Sequence, residues 1–318
     1  MMKAHLGIRP ATAVGLAVLL VGSSPWALAD DPPFKLEMLQ ETVTISAGDQ
    51  HILQYRFAGV PCKPYVAVFR TPAGVNVLRD APSDHLHHHS LMFAIAVDGI
   101  NFWEEHKDPG RQAHRTIQNV SDKSTQTAAF VEQIDWVYPK TDKTLLVESR
   151  RIETYPQSES GASLLTWESR FTPPADASSA TLSGSNYFGL GMRFLQSMDI
   201  GGTFQNADAG TGVEGTHEKR ADWCAYTAKA DDHLVTVAMF DHPQNPRHPA
   251  TWFTMDNHFA YLSNTLNLSK EPLTIKANET LTLRYGVALW DGRMDAEQIN
   301  DLYRKWIARL ADRTPTPP

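Results

Sequence analysis

The sequence has little of several features that mark common classes of protein. Its 318 residues include two cysteines, Cys62 and Cys224, which lack the paired spacing of a zinc or redox site. In an exported protein they could form a disulfide or remain two isolated buried thiols, and both alternatives stay open. The chain also lacks a glycine-rich phosphate loop, alternating strand and helix units, and internal repeats. A parallel nucleotide-binding sheet is therefore not indicated.

Long apolar runs are missing outside the N-terminal segment. Lys3 and Arg9 flank the start of this segment, and the apolar run Ala11–Val21 is shorter than the roughly 20 residues that span a bilayer. Ala27-Leu28-Ala29 then provides the small residues that a signal peptidase reads. We expect residues 1–29 to be a secretory signal, so that the mature chain is periplasmic or extracellular and has no membrane span. An uncleaved N-terminal anchor is the alternative.

Basic residues are also fewer than acidic residues. Lysine and arginine number 29 against 36 aspartates and glutamates, which gives a formal net charge of -7. An acidic chain of this kind argues against nucleic acid or anionic lipid as its main partner. The expected partner is a small-molecule or glycan substrate, and the sequence indicates no oligomeric state.

What the sequence does contain is a long series of short apolar segments separated by turn residues. Leu281–Leu289 alternates apolar and polar residues as a half-buried strand does, and Asp98-Gly99 is a hairpin signal. This pattern predicts a mainly β fold, a single large antiparallel β-sandwich over residues 30–312. The predicted strands are Glu41–Ser46, Ile52–Phe57, Tyr65–Phe69, Ser90–Val97, Ile100–Trp103, Thr144–Tyr155, Ser163–Thr172, Leu234–Phe240 and Leu281–Leu289.

One α-helix is expected near the C-terminus. Asp295 can cap it, and Gln298 stands three residues later as in a capping box. Apolar residues then recur at the spacing of one helical face: Ile299, Leu302, Tyr303, Trp306, Ile307 and Leu310. We expect this helix to pack across an edge or mouth of the sheets and residues 313–318 to form a disordered tail.

The densest chemical signal is a run of histidines at Asp84–His89. If this segment is extended, His85, His87 and His89 share one face, while Leu86 and His88 take the other. Histidines two apart on a strand are about 7 Å apart at Cα, which is close enough to reach one ion or one ligand.

Three interpretations of the histidine run compete. His85 and His87, with a third ligand, could hold one divalent metal such as zinc, calcium or iron. Alternatively His85, His87 and His88 could be acid and base groups of a metal-free saccharide site, with Asp84 binding the substrate. A structural role at a sheet edge is the third interpretation.

A second chemically rich segment follows a predicted buried strand. Asp241, His242, Arg247 and His248 are set among three prolines, and Trp252 comes shortly afterwards. The prolines stiffen the segment, and polar loops on rigid β scaffolds often carry binding sites. We therefore predict His242 and His248 as catalytic residues and the other three as substrate-binding residues. The alternative is a solvent-facing turn that needs its prolines.

Further candidates lie nearby or on other strands. Glu104 or Glu105 follows the histidine run through a hairpin and could supply a carboxylate base. The remaining candidates are His114 as a proton donor, Arg115 and Arg193 as anion-binding groups, and Trp103 as a stacking surface for a sugar.

The two histidine motifs together resemble a secreted bacterial family labelled "methane oxygenase PmoA" or PmoA-like. The resemblance rests on residues 83–103, His114-Arg115 and residues 241–252, and it spans most of residues 50–305. At His89 the resemblance leads us to expect arginine. The family is similar in outline to sugar-mutarotase supersandwich proteins, in which histidines and a carboxylate handle a sugar ring. The resemblance does not imply the membrane monooxygenase subunit of that name, because the sequence beyond residue 29 has no spanning segment.

Three functional hypotheses follow from these motifs. The first is an exported carbohydrate-active enzyme, an epimerase, lyase or hydrolase, that uses histidine acid–base chemistry. The second is a non-catalytic carbohydrate-binding protein of the cell envelope. The third is a metal-dependent oxidase or oxygenase that uses a His-x-His pair.

Overall fold

The computed structural model describes Met1, Met2 and residues 34–157 and 160–311 of the chain. The statements that follow concern the unit Asp31–Pro318. The predicted signal segment, apart from Met1 and Met2, and the predicted tail, residues 313–318, lie outside the described residues.

Across residues 34–157 and 160–311 the strands form three antiparallel sheets, numbered here in chain order. The first sheet runs β1 (Phe34–Met38), β2 (Thr42–Ala47), β3 (Gln50–Arg56), β4 (Tyr65–Phe69), β5 (Leu91–Ala94), β13 (Gly189–Arg193), β19 (Tyr261–Thr265), β18 (Ala250–Met255) and β15 (Arg220–Ala221). The second sheet runs β14 (Thr203–Asn206), β16 (Trp223–Ala230), β17 (His233–Asp241), β21 (Leu281–Asp291), β11 (Ser163–Thr172), β10 (Lys143–Thr154), β9 (Ala128–Tyr138) and β8 (Arg111–Asn119). The third sheet runs β20 (Leu273–Lys276), β12 (Ser179–Ser183), β6 (Ala96–Val97) and β7 (Ile100–Asn101).

The first two sheets face each other across one apolar core. Phe93 of β5 contacts the rings of Trp136, Phe171 and Tyr285 on three strands of the second sheet, with ring centres 6.2, 5.5 and 6.2 Å away. Inward-facing residues of both sheets belong to the same buried cluster, as two packed sheets require. The predicted antiparallel β-sandwich with a C-terminal helix is therefore confirmed.

Buried charges cross the same core. Arg150 on β10 is fully buried, and its guanidinium donates to the Glu148 carboxylate at 2.8 Å and to Gln112 Oε1 at 2.9 Å. It also donates to the hydroxyl of Tyr55 on β3 at 3.0 Å. Because Tyr55 comes from the first sheet, this guanidinium links the two sheets by hydrogen bonds.

The C-terminal helix, α2 (Ala296–Ala311), begins at the predicted capping box. The Gln298 amide donates to Asp295 Oδ1 at 2.9 Å, and the Asp295 amide donates to Gln298 Oε1 at 3.0 Å. The predicted apolar face is buried apart from the partly buried Ile307. A short helix, α1 (Gly212–Thr216), and a 3₁₀ turn, Gln196–Met198, were not predicted.

The expected position of α2 at an edge or mouth of the sheets is wrong. The helix covers the outer face of the middle strands of the second sheet, where Trp306 packs against Phe240 of β17 and donates to Thr166 of β11 at 2.8 Å. The physical reason is that β21 is apolar on both faces between Tyr285 and Trp290, so its outer face also needs a cover.

The predicted hairpin at Asp98-Gly99 is confirmed and leads the chain towards the candidate site. Asp98 and Gly99 have φ values of 48° and 81°, as a two-residue hairpin turn of type I′ requires. The second strand of the hairpin ends at Asn101, earlier than predicted. Asn101 Oδ1 accepts the amides of Trp103 and Glu104 at 2.8 and 3.1 Å, and this turn replaces the strand.

The two cysteines are not joined. Cys62 is a half-buried free thiol, and Cys224 is a fully buried free thiol on β16. In the described ranges no helix is both long and apolar enough to cross a membrane.

The buried guanidinium of Arg150 is expected to contribute to the stability of the fold. Arg150→Ala leaves the Glu148 charge buried without its partner, so we expect the free energy of unfolding in urea to fall by about 3–5 kcal/mol. Arg115→Ala is the matched control, because Arg115 pairs with Asp135 on an exposed surface and such pairs contribute less than about 1 kcal/mol. Equal losses in the two variants would contradict the role given to Arg150.

Candidate functional site

The histidine run folds into two consecutive turns instead of the extended segment considered from the sequence. The amide of His85 donates to the carbonyl of Pro82 at 2.9 Å, and the amide of His88 donates to the carbonyl of His85 at 3.0 Å. Because of these turns, the histidine side chains do not alternate between two faces as they would on a strand. His85, His87 and His88 all line one cavity, and Leu86 points outwards with 65% of its surface exposed.

The cavity has a volume of about 670 Å³ and lies beside the first sheet. Its walls come from the histidine turns, from the segment after β7 and from β18, β19 and the loop between them. Gly191 on β13 permits this arrangement, because a Cβ there would collide with Tyr261 and Trp103. The lining residues are Asp84, His85, His87, His88, Trp103, Glu104, Tyr187, Phe253, Met255, His258, Phe259 and Tyr261.

A histidine and a carboxylate face each other in this cavity. His87 Nε2 lies 3.4 Å from Glu104 Oε2, and the Tyr187 hydroxyl donates to Glu104 Oε1 at 3.0 Å. Burial lowers the pKa of His87 below its ordinary value, and the Glu104 charge offsets part of that effect. The result is a neutral imidazole beside a fixed carboxylate. This imidazole can accept a proton, and the carboxylate then stabilises the imidazolium.

Four residues that line the cavity also have a buried polar atom with no hydrogen-bond partner among the described residues. These atoms are Trp103 Nε1, His88 Nδ1, the Tyr261 hydroxyl and His85 Nδ1. The rings of Trp103, His88 and Tyr261 adjoin, with centres 5.0 to 6.3 Å apart. Burial lowers the pKa of His88 to about 2, so this imidazole is neutral under ordinary conditions.

The predicted anion-binding residue Arg193 supports the wall of the cavity from behind. It is 1% exposed, its guanidinium lies 3.6 Å from the centre of the Phe259 ring, and it donates to Asp84 Oδ2 at 3.0 Å. Asp84 Oδ2 also lies 3.2 Å from His85 Nδ1. Arg193 therefore fixes Asp84 and Phe259, which line the cavity, and does not line it itself.

A buried charge network supports the other side of the cavity. Glu105 Oε1 accepts from Lys63 Nζ at 2.6 Å and from His89 Nε2 at 3.0 Å, and His89 Nδ1 bonds Asp80 Oδ1 at 2.8 Å. Burial opposes a charge on His89, but its hydrogen bonds to Asp80 and Glu105 outweigh that effect and raise its pKa. Burial alone would raise the pKa of Glu105, whereas His89 and Lys63 lower it to about 2.

The second predicted constellation is elsewhere and is held by its own contacts. His248 lies between two carboxylates, with Nδ1 2.7 Å from Asp241 Oδ2 and Nε2 3.2 Å from Asp222 Oδ1. The other oxygen of Asp241 accepts from Asn245 at 2.7 Å. The hydrogen bond to Asp241 raises the pKa of His248, although burial opposes it. We infer that these residues stiffen the loop after β17.

The remaining members of this constellation also lie apart from the histidine cavity. His242 lines a different cavity of about 730 Å³ beside α2, and burial lowers its pKa to about 4. The Arg247 guanidinium donates to the carbonyls of Leu266 and Glu271, both at 2.7 Å. Trp252 is fully buried in the core. His242 and His248, both predicted as catalytic residues, therefore do not share the cavity of the histidine run.

His114 and Arg115 lie on β8, at the edge of the second sheet. His114 Nδ1 bonds the buried Glu132 at 2.8 Å, and Arg115 pairs with Asp135 on the surface. Neither residue lines the histidine cavity.

Several lining residues were not predicted from the sequence. They are Tyr187, Phe253, Met255, His258, Phe259 and Tyr261. His258 is an isolated histidine outside the two motifs, and the other five carry no signal beyond their aromatic or apolar type. Five of them lie on the neighbouring strands β18 and β19 or in the loop between these strands, and Tyr187 is brought to them because it precedes β13, which pairs with β19.

Metal binding by the histidine run has limited support. The rings of His85 and His87 are 5.7 Å apart between centres. In the part of the chain that the structure describes, no group of three or more His, Cys, Asp or Glu side chains is arranged to hold a metal ion.

Comparisons with known proteins give a family and a weak likeness in fold. A family model described as "Family of unknown function (DUF6807)" matches residues 42–304. No curated protein matches the chain. The solved structures that it resembles include an alpha-galactosidase from Lactobacillus brevis, at 8% identity, TM-score 0.46 and coverage of 86% of this chain and 42% of that one. They also include a GH36 alpha-galactosidase, AgaB, from Geobacillus stearothermophilus, at 8% identity and TM-score 0.49. That match covers 81% of this chain and 41% of the other.

The chain thus spans about two fifths of the length of these structures.

The position of His248 between two carboxylates predicts a pH-dependent contribution to stability. Because its folded-state pKa is raised, this contribution is fully present below the unfolded-state pKa of about 6.5 and is lost as the pH rises through the folded-state value. We expect His248→Gln to lower the free energy of unfolding more at about pH 5.5 than at about pH 9. Urea denaturation at both pH values measures this difference.

The exposed His233→Gln variant controls for the loss of an imidazole. If His248→Gln destabilised the protein equally at both pH values, the ionic role of His248 would be refuted.

Proposed function

The chain belongs to the DUF6807 family, and we propose that it is a carbohydrate-active enzyme that performs acid–base chemistry on a saccharide in the histidine cavity. The observation that carries this proposal is the pairing of His87 with Glu104 in a cavity walled by aromatic rings. Aromatic faces bind the apolar faces of sugar rings, and a histidine beside a carboxylate moves protons near neutral pH.

The cavity wall offers two kinds of contact. Tyr187, Phe253 and Phe259 provide aromatic surface, and hydrogen-bonding groups are provided by Asp84, His85, His87 and Glu104. A sugar has both an apolar face and hydroxyl groups, so it can use both surfaces at once.

In this proposal His87 is the proton acceptor. Its Nε2 faces the Glu104 carboxylate, which stabilises the imidazolium formed when the ring takes a proton from the substrate. Tyr187 keeps that carboxylate in place by its hydrogen bond. His85, whose Nδ1 lies 3.2 Å from Asp84 Oδ2, is the acid in this scheme and returns a proton to the substrate. The neutral His88 is not an acid in this scheme, because its pKa is too low.

The reaction class remains one of epimerisation, elimination or hydrolysis, all of which need a base and an acid. Export, which the N-terminal pattern predicts, would bring the cavity into contact with extracellular saccharides. A non-catalytic saccharide-binding protein is the second candidate, and it is favoured by the large aromatic share of the cavity wall.

The catalytic proposal is tested with His87→Gln and Glu104→Gln. We expect each variant to lose about 10²–10⁴-fold in turnover, because a general acid or base contributes that much, while its melting temperature stays close to that of the wild type. Turnover is measured by NMR on a panel of glycans in D₂O. Deuterium at a sugar carbon reports epimerisation, a vinyl proton reports elimination, and a new reducing end reports hydrolysis.

His242→Gln is the control, because His242 lines the other cavity and should leave turnover unchanged. Saturable glycan binding with no chemical change in any glycan would favour the binding protein over the enzyme. Full activity in His87→Gln would show that the proton acceptor lies elsewhere.

A further inference from the structure

One carboxylate oxygen of the cavity wall lies between two imidazoles, of which the proposed function uses one. Glu104 Oε2 lies 3.4 Å from His87 Nε2 and also 3.4 Å from His106 Nε2. The other oxygen of Glu104 accepts from the Tyr187 hydroxyl at 3.0 Å, and this hydrogen bond holds the carboxylate in its orientation. Two imidazole nitrogens therefore approach a single, fixed oxygen atom.

The three side chains form a path from the cavity to the protein surface. The side chains of His87 and Glu104 are 17% and 19% exposed, whereas the side chain of His106 is 62% exposed. His87 and Glu104 line the cavity, and His106 does not. A saccharide in the cavity would cover His87 further, while His106 would stay in contact with bulk water.

His106 lies in the loop between β7 and β8. The amide of Gly110 donates to the carbonyl of Asn101 at 2.8 Å and so closes this loop. Among residues 34–157 and 160–311, Glu104 is the only ion-pair partner of His106. Replacing the His106 imidazole therefore removes its contact with Glu104 and no buried contact of the fold.

The proposed chemistry leaves one proton to remove and one to replace. His87 takes a proton from the substrate and His85 gives one, so both must return to their starting states before the next turnover. The side chain of His85 is 36% exposed and can regain its proton from water. His87 is less exposed and lies beside the bound saccharide, so its proton needs another route to solvent.

We propose that His106 is the proton-relay residue of this site, which receives through Glu104 the proton that His87 has taken and releases it to solvent. The proton leaves His87 Nε2 for Glu104 Oε2 and passes from this oxygen to His106 Nε2. His87 is then neutral, Glu104 is again a carboxylate, and a base in the buffer takes the proton from His106. Each step moves one proton and changes no oxidation state.

Both contacts of Glu104 Oε2 are longer than an ordinary hydrogen bond, but contacts of this kind often shorten only in the complex with substrate. The inference rests on the proposed function, because it gives the exit for a proton that the proposed reaction produces. It assigns to His106 no contact with the saccharide.

His106→Gln tests the relay, and Lys107→Gln, a change at the next exposed residue of the same loop, is the matched control. We expect His106→Gln to lower kcat by about tenfold in dilute buffer, which is less than the loss in His87→Gln because His106 does not act on the substrate. The ratio kcat/KM should stay close to that of the wild type, because the relay acts after the substrate has reacted. The melting temperature should also be unchanged.

Added imidazole provides a second readout on the same variants. A mobile base can take the proton from His87 directly, so kcat of His106→Gln should rise with the imidazole concentration towards the wild-type value. The wild type and Lys107→Gln should respond little. In a Glu104→Gln background, His106→Gln should cause little further loss, because the path is already broken at Glu104.

The outcomes separate the relay from the enzyme proposal. Wild-type kcat in His106→Gln in dilute buffer, or a loss that imidazole does not restore, would overturn the relay and leave the proposed enzyme standing. An equal loss in kcat and kcat/KM would mean that His106 contributes to an earlier step and would also overturn the relay. Absence of turnover of every glycan by the wild type would overturn both proposals.

Discussion

Glu105 accepts hydrogen bonds from two cationic side chains of different loops, Lys63 and His89, and the walls of the histidine cavity depend on this contact. His89 ends the histidine turns, and Glu105 directly follows Glu104, so one ionic contact fixes both sides of the pair formed by His87 and Glu104. His89 is bonded to carboxylates at both ring nitrogens and so favours its charged form. A cation thus occupies the position at which the motif resemblance leads us to expect arginine.

The fold could be predicted from the sequence to a large extent because its strands have local signals. β4 and β11 have the predicted bounds, and the Asp98-Gly99 turn and the capping box at Asp295 form as expected. The position of α2 could not be predicted, because it depends on which strand presents a second apolar face, and strand order is not encoded in a local pattern. The predicted strand Ser90–Val97 is divided after Ala94 for a similar reason, because its two parts, β5 and β6, belong to different sheets.

The site could be predicted in part. The histidine run and Glu104 could be predicted because the histidines are clustered and a hairpin brings Glu104 back to them. The turns that place His88 in the cavity could not, because the same run also fits the alternation of an extended strand. The loop at Asp241–His248 has equally rich chemistry, yet its carboxylates and imidazole satisfy one another. Sequence reveals which residues can react, whereas their pairing decides which remain available to a ligand.

The central claim is that a saccharide binds in the histidine cavity. A crystal structure of the protein with the glycan that it binds most tightly tests this claim most directly. The account predicts a sugar ring against the aromatic wall, with one of its groups facing His87. A sugar bound in the cavity beside α2 that His242 lines, with the histidine cavity containing only water, would contradict the account.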